Sequence, residues 1–73
     1  MEYKEIFIKE DFIRLDSALK LASFCVTGGH AKTVIKNGEV TVNGEICTQR
    51  GKKLYINDKA EFEGKGIVIK NAG

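Results

Sequence analysis

Proline is absent from these 73 residues, and cysteine and histidine are nearly so: Cys25, Cys47 and His30 are the whole supply. The two cysteines stand far apart and neither belongs to a C-x-x-C pair, so the spacing of zinc ribbons and redox motifs is missing. One histidine and two cysteines fall short of the four ligands of a structural zinc site unless carboxylates join them. The expectation is two small, buried, reduced thiols and no metal or other cofactor. No apolar run approaches the roughly 20 residues a membrane-spanning helix needs. The opening Met1-Glu2-Tyr3-Lys4-Glu5 is charged and holds no apolar stretch of signal-peptide length. A soluble, cytoplasmic chain with no membrane partner is therefore expected. Catalytic groupings are equally scarce. No Ser-His-Asp or Cys-His arrangement has a supporting context, and acid pairs such as Glu10-Asp11 and Glu61 with Glu63 read as solvated surface. A chain this short also has little room for a ligand pocket of roughly several hundred Å³. The chain is expected not to be an enzyme.

What is present is an uneven distribution of charge. The net charge is only +2. Residues 1–24 carry Lys4, Lys9, Arg14 and Lys20 against Glu2, Glu5, Glu10, Asp11 and Asp16, and residues 57–73 balance. Residues 25–56 carry Lys32, Lys36, Arg50, Lys52 and Lys53 against Glu39 and Glu45 alone. The whole excess sits in the middle third, as a surface facing a polyanion would require. A solvated surface without a partner would also carry such a pattern, so charge alone does not decide.

The length fits one domain over residues 1–73, with a thin core and a short flexible tail at 71–73 that ends in glycine. Tyr3 to Ile8, with Ile6-Phe7-Ile8 between charges, reads as an edge strand. From Ile13 the period changes: Leu15, Ala18, Leu19 and Ala22 fall at i, i+3, i+4 and i+7, one face of a helix. Asp11 is the expected cap, and Phe24 or Cys25 the expected end. Thr27 then suits the N-cap of a second helix with Ala31, Val34 and Ile35 on its apolar stripe. Asn37-Gly38 stops that helix, since glycine accepts the left-handed conformation. After Gly38 the period becomes two. Val40 and Val42 alternate with Thr41, and Asn43-Gly44 predicts a type I′ hairpin turn. Ile46–Thr48, Leu54–Ile56, Ala60–Phe62 and Ile67–Ile69 follow as short strands, with turns at Asn57-Asp58 and Gly64-Lys65-Gly66. The fold class is α+β: two packed helices followed by a small antiparallel sheet of four to five short strands.

On the second helix, at 100° per residue, Ala31, Val34 and Ile35 share one face, while Gly29, Lys32 and Lys36 gather on the opposite side. Two lysines four apart repel one another mildly, and an anion between them relieves it. Thr27-Gly28-Gly29 at the helix start offers free N–H groups to a phosphate oxygen. His30, on a flank, adds a candidate for stacking or phosphate contact. Arg50, Lys52 and Lys53 around Gly51 form a second basic cluster. The two clusters merge into one face only if the hairpin packs beside the helix. Few aromatic residues neighbour these cations in sequence, so a stacking platform for single strands is not expected.

Arg14-Leu15-Asp16, followed by Gly28-Gly29-x-Ala31-Lys32-x-x-Ile35-x-x-Gly38-x-Val40-x-Val42-Asn43-Gly44-Glu45, resembles the S4-type RNA-binding domain, whose fold is the alpha-L type. The similarity spans roughly residues 14–69 and looks most like the short stand-alone bacterial branch, the YaaA-like and YbcJ-like proteins. It implies binding of structured RNA, ribosomal or tRNA-like, on or near the ribosome and its proteins, by a monomer. It also implies an RNA-binding site drawn from Thr27, Gly28, Gly29, His30, Lys32, Lys36, Arg50, Lys52 and Lys53. Many relatives carry Ser-Arg where this chain has Gly28-Gly29, which leaves the usual arginine–phosphate contact to other cations or to the backbone of the turn. The alternative is a protein-interaction module that docks on an acidic partner.

Overall fold

The computed structural model describes residues 2–73. In chain order they form β1 (Tyr3–Ile8), β2 (Phe12–Arg14), α1 (Leu15–Leu21), α2 (Gly28–Lys36), β3 (Val40–Val42), β4 (Glu45–Ile46), β5 (Lys53–Tyr55), β6 (Lys59–Phe62) and β7 (Lys65–Asn71). Five strands make one sheet in the order β1-β7-β6-β3-β4, and β2 and β5 make a separate two-stranded ribbon.

The patterns that predict these elements also decide what they bury. In β1, Ile6 and Ile8 turn inward while Glu5 and Phe7 stay exposed, the alternation of a strand with one covered face. Val40 and Val42 of β3, Ala60 and Phe62 of β6, and Ile67 and Ile69 of β7 join that inner face. The helices lie against it through Leu15, Ala18, Leu19 and Ala22 of α1 and Ala31, Val34 and Ile35 of α2. Residues 66–69 of β7 are all buried. That strand sits between β1 and β6 and is covered on both faces, so its apolar residues run on instead of alternating.

Three short-range predictions hold in detail. The Thr27 hydroxyl accepts from the His30 N–H at 3.1 Å and caps α2. Gly38, with φ +77°, ends it. Asn43 and Gly44 have φ of +51° and +88°, the positive pair that a type I′ turn demands. Glu63 and Gly64 repeat the pattern between β6 and β7.

Elsewhere the structure corrects the expectation. The main sheet is mixed, not antiparallel, because β1 and β7 run parallel, Tyr3 beside Gly66 and Ile8 beside Asn71. The two strands come from opposite ends of the sequence, so no hairpin signal marks their pairing. Leu54 belongs to the ribbon, opposite Ile13 of β2, and leaves Ile56 outside any strand. Phe12–Arg14, which the periodicity assigns to the approach of a helix, is a strand. Hence Asp11 does not cap α1: the N-cap position is Arg14, with no side-chain cap bond. The helix stops at Leu21, short of Phe24, as the chain turns through Ser23 at φ +63°. Only Glu45–Ile46 pair as β4, and the last turn is Glu63-Gly64, with Lys65 and Gly66 already in β7. That strand runs on to Asn71, and the Ala72 N–H still donates to the Ile8 carbonyl at 2.8 Å.

The outer face of the sheet rests on one glycine. The Tyr3 ring lies over Gly66, where a Cβ would stand 2.5 Å from Tyr3 Cδ1. Lying there, the phenol donates to Glu61 Oε2 at 2.5 Å and the ring receives Lys59 Nζ at 5.1 Å. Gly66→Ala is expected to displace the ring and destabilise the fold by about 1–2 kcal/mol. In a double-mutant cycle with Tyr3→Ala, followed by urea denaturation, most of that loss should vanish. Additive losses would mean that the ring is not what the methyl meets.

Candidate functional site

Two backbone hydrogen bonds place the basic loop. The amides of Leu15 and Asp16, the first two of α1, have no partner inside their helix. They donate to the Lys52 carbonyl at 2.9 Å and the Arg50 carbonyl at 3.1 Å. The loop is thus held by its carbonyls while the side chains of Arg50, Lys52 and Lys53 remain exposed. Just behind them, Lys53 pairs with Arg14 across the ribbon. The Arg14 guanidinium reaches Asp16 Oδ2 at 3.1 Å, and Asp16 Oδ1 accepts the Ser17 N–H at 2.8 Å.

This anchorage brings the two predicted clusters together. Lys32 and Lys36 of α2 line a shallow cleft of about 140 Å³ with Thr48 and Arg50. Thr48 also borders a larger groove of about 570 Å³, walled by the β3–β4 hairpin on one side and by Lys52, Lys53 and Tyr55 on the other. The cations therefore form one band that crosses the chain at Thr48. Arg14–Asp16 is the one salt bridge among the described residues, so Lys32, Lys36, Arg50, Lys52 and Lys53 have no carboxylate partner there.

The start of α2 stands apart from both clefts. Thr27, Gly28, Gly29 and His30 are all exposed, and a Cβ on Gly28 would meet nothing within 4 Å. The amides of His30 and Ala31 are spent on the Thr27 hydroxyl and carbonyl. Thr27 is thereby occupied as a cap, and Gly28 and Gly29 hold the free amides of the turn.

Sequence reasoning missed two features here. Arg14 joins the band only because its strand partner is Lys53. The aromatics Phe12 and Tyr55 also face one another across the ribbon, ring centroids 6.0 Å apart, with Lys53 Nζ 4.8 Å above the Phe12 ring. Both rings are partly exposed, and they add an aromatic pair to a surface expected to have few aromatics nearby. The β2–β5 register is the only signal that joins them, and it is not local. The cysteines also part company. Cys25 is buried, whereas Cys47 is half-buried at the wall of the groove, its thiol 3.7 Å from the Gln49 carbonyl. Burial pushes the Cys25 thiol above its ordinary range, Glu63 adds to the shift, and Lys65 opposes it.

Comparison with known proteins gives the same direction. The family model described as S4 domain matches residues 6–70. The chain is also similar to the probable ribosome maturation protein RlbA of Bacillus subtilis (strain 168). The two are 44% identical over 61 residues, which is 84% of this chain and 86% of that protein.

Two outcomes are expected from this geometry. Thr27→Ala should cost about 1 kcal/mol in urea denaturation and Thr27→Ser little, because the hydroxyl serves the His30 amide. Iodoacetamide should modify Cys47 well before Cys25 in the folded protein, as peptide mass mapping would show. The Cys25 thiol, which ionises later in the folded than in the unfolded chain, adds stability below the ordinary thiol range, and that contribution is lost as pH rises from that range through the raised folded-state value.

Proposed function

The chain belongs to the S4 domain family of RNA-binding domains, and on that premise we propose that its basic band binds structured RNA, ribosomal RNA or a ribosome-assembly intermediate, by phosphate and 2′-hydroxyl contacts. The observation that carries this reading is the set of five cations, Lys32, Lys36, Arg50, Lys52 and Lys53, gathered from a helix and a loop, none of them within ion-pair distance of a carboxylate among the described residues. Folding has brought like charges together; the phosphates of a polyanion offset the repulsion, and release of the polyanion's counterions adds to the affinity. The free amides of Gly28 and Gly29 supply a further phosphate contact at the start of α2, in the place where many relatives carry an arginine.

Such a surface reads shape. A-form RNA shows a wide minor groove lined with 2′-hydroxyls and regularly spaced phosphates, which a band of cations matches with little base readout. The chain then acts as a cytoplasmic binding module without catalysis or cofactor, working as a single copy on RNA within or near the ribosome. The likeness to a ribosome maturation protein over nearly the full length of both chains supports that setting.

Two measurements test the reading. If roughly three to five phosphates are neutralised, the logarithm of the affinity for folded RNA should fall with the logarithm of salt at a slope of about −2 to −4. Binding indifferent to salt would overturn it. Lys32→Glu with Lys36→Glu should weaken binding by about tenfold or more at moderate salt. The protein should still fold, because both side chains are exposed, with a small loss of stability from reversing Lys36 in the last turn of α2. Full affinity in that variant would remove α2 from the site.

A further inference from the structure

We propose that the groove between the β3–β4 hairpin and β5 seats one unpaired nucleotide of the bound RNA, with its base stacked on Tyr55. The inference rests on the RNA reading and adds a second, chemically different subsite to it.

A fully paired helix offers a protein mainly phosphates and hydroxyls, and cations suffice for those. This groove holds more than cations. At about 570 Å³ it lies in the size range that small ligands fill. Its walls join Lys52 and Lys53 to two uncovered apolar side chains, Tyr55 at 49% exposure and Ile46 at 69%. Apolar surface left open beside cations suits a ligand with flat apolar faces and an anionic tail, and an unpaired nucleotide is such a ligand.

The ring is also prepared for stacking. Tyr55 packs against Phe12, the planes inclined at 52°, and Phe12 in turn carries the Lys53 ammonium. A ring held by an aromatic neighbour loses little freedom when a base stacks on it. Of the two acids on the groove, Glu45 and Asp58, the second is engaged by its neighbours. Asp58 Oδ2 accepts the Tyr55 N–H at 2.8 Å, and its Oδ1 accepts Asn43 Nδ2 at 3.2 Å. These bonds tie the hairpin turn to the base of β5 and set the width of the groove. Asn43 Oδ1 adds a third, from the Lys59 N–H at 3.0 Å. Gln49 and Glu45 remain on the walls as polar groups for the base edge.

The experiment compares two RNA duplexes that differ by one bulged nucleotide, 2-aminopurine, binding to the full chain. The wild type should prefer the bulged duplex by roughly 5- to 100-fold, the worth of one base–aromatic stack, and should quench the 2-aminopurine fluorescence. Tyr55→Leu keeps apolar bulk against Phe12 but removes the stacking face, so preference and quenching should both disappear while the paired duplex binds as before. Tyr55→Phe should retain both. Equal affinity for the two duplexes, or a preference that survives Tyr55→Leu, overturns the subsite and leaves the basic band standing. Failure to bind either duplex overturns the RNA reading and this inference together.

Discussion

The backbone hydrogen bonds from Leu15 and Asp16 to the carbonyls of Lys52 and Arg50 hold the molecule's two halves in register. They do for α1 what a side-chain cap does for most helices, and they use the basic loop to do it. The positive end of the α1 dipole lies against carbonyl oxygens, a favourable match that the charges on the same loop would otherwise disfavour. Because the loop is fixed there, β5 is delivered next to β2, Leu54 closes on the core at zero exposure, and Thr48 falls between the two basic groups. The Arg14–Asp16 pair beside these bonds neutralises Arg14 and leaves the outer cations unpaired.

Much of this arrangement can be read from local patterns. The α2 cap at Thr27, its stop at Gly38 and the turn at Asn43-Gly44 each depend on a few adjacent residues. Their physics is complete within one turn of chain. The inner residues of β3 and β6 are legible for the same reason, since alternation is a short-range property. Phe12–Arg14 is not legible. Three residues do not establish a period, and Ile13 and Leu15 blend into the helical stripe that follows. The parallel partnership of β1 with β7 is invisible because nothing near Tyr3 refers to Gly66, although the glycine is there to admit the tyrosine ring.

The candidate site divides along the same line. That Lys32, Lys36, Arg50, Lys52 and Lys53 are exposed follows from their chemistry. That they adjoin one another follows only from the loop's anchorage. The glycine turn at the start of α2 keeps a sequence-level appeal as an anion site, but Thr27 has its hydroxyl committed and only two amides remain free. The aromatic pair is the sharpest case: Phe12 and Tyr55 are unremarked in their own surroundings and become a feature only across the ribbon.

The manner in which the loop is held sets a limit on how the surface selects its target. Its backbone is pinned while its long side chains remain free to choose rotamers, so each cation has a defined origin and an undefined reach. A phosphate displaced by an ångström or two is followed at little cost, and the ordering penalty per side chain, about 0.5–1.5 kcal/mol, is much the same wherever it lands. The lysines and arginine therefore confer tolerance. They accept a range of helical geometries with similar affinity. Discrimination falls to the parts that cannot move: the capped turn, the hairpin tied through Asn43 to Asp58, and the ring braced by Phe12.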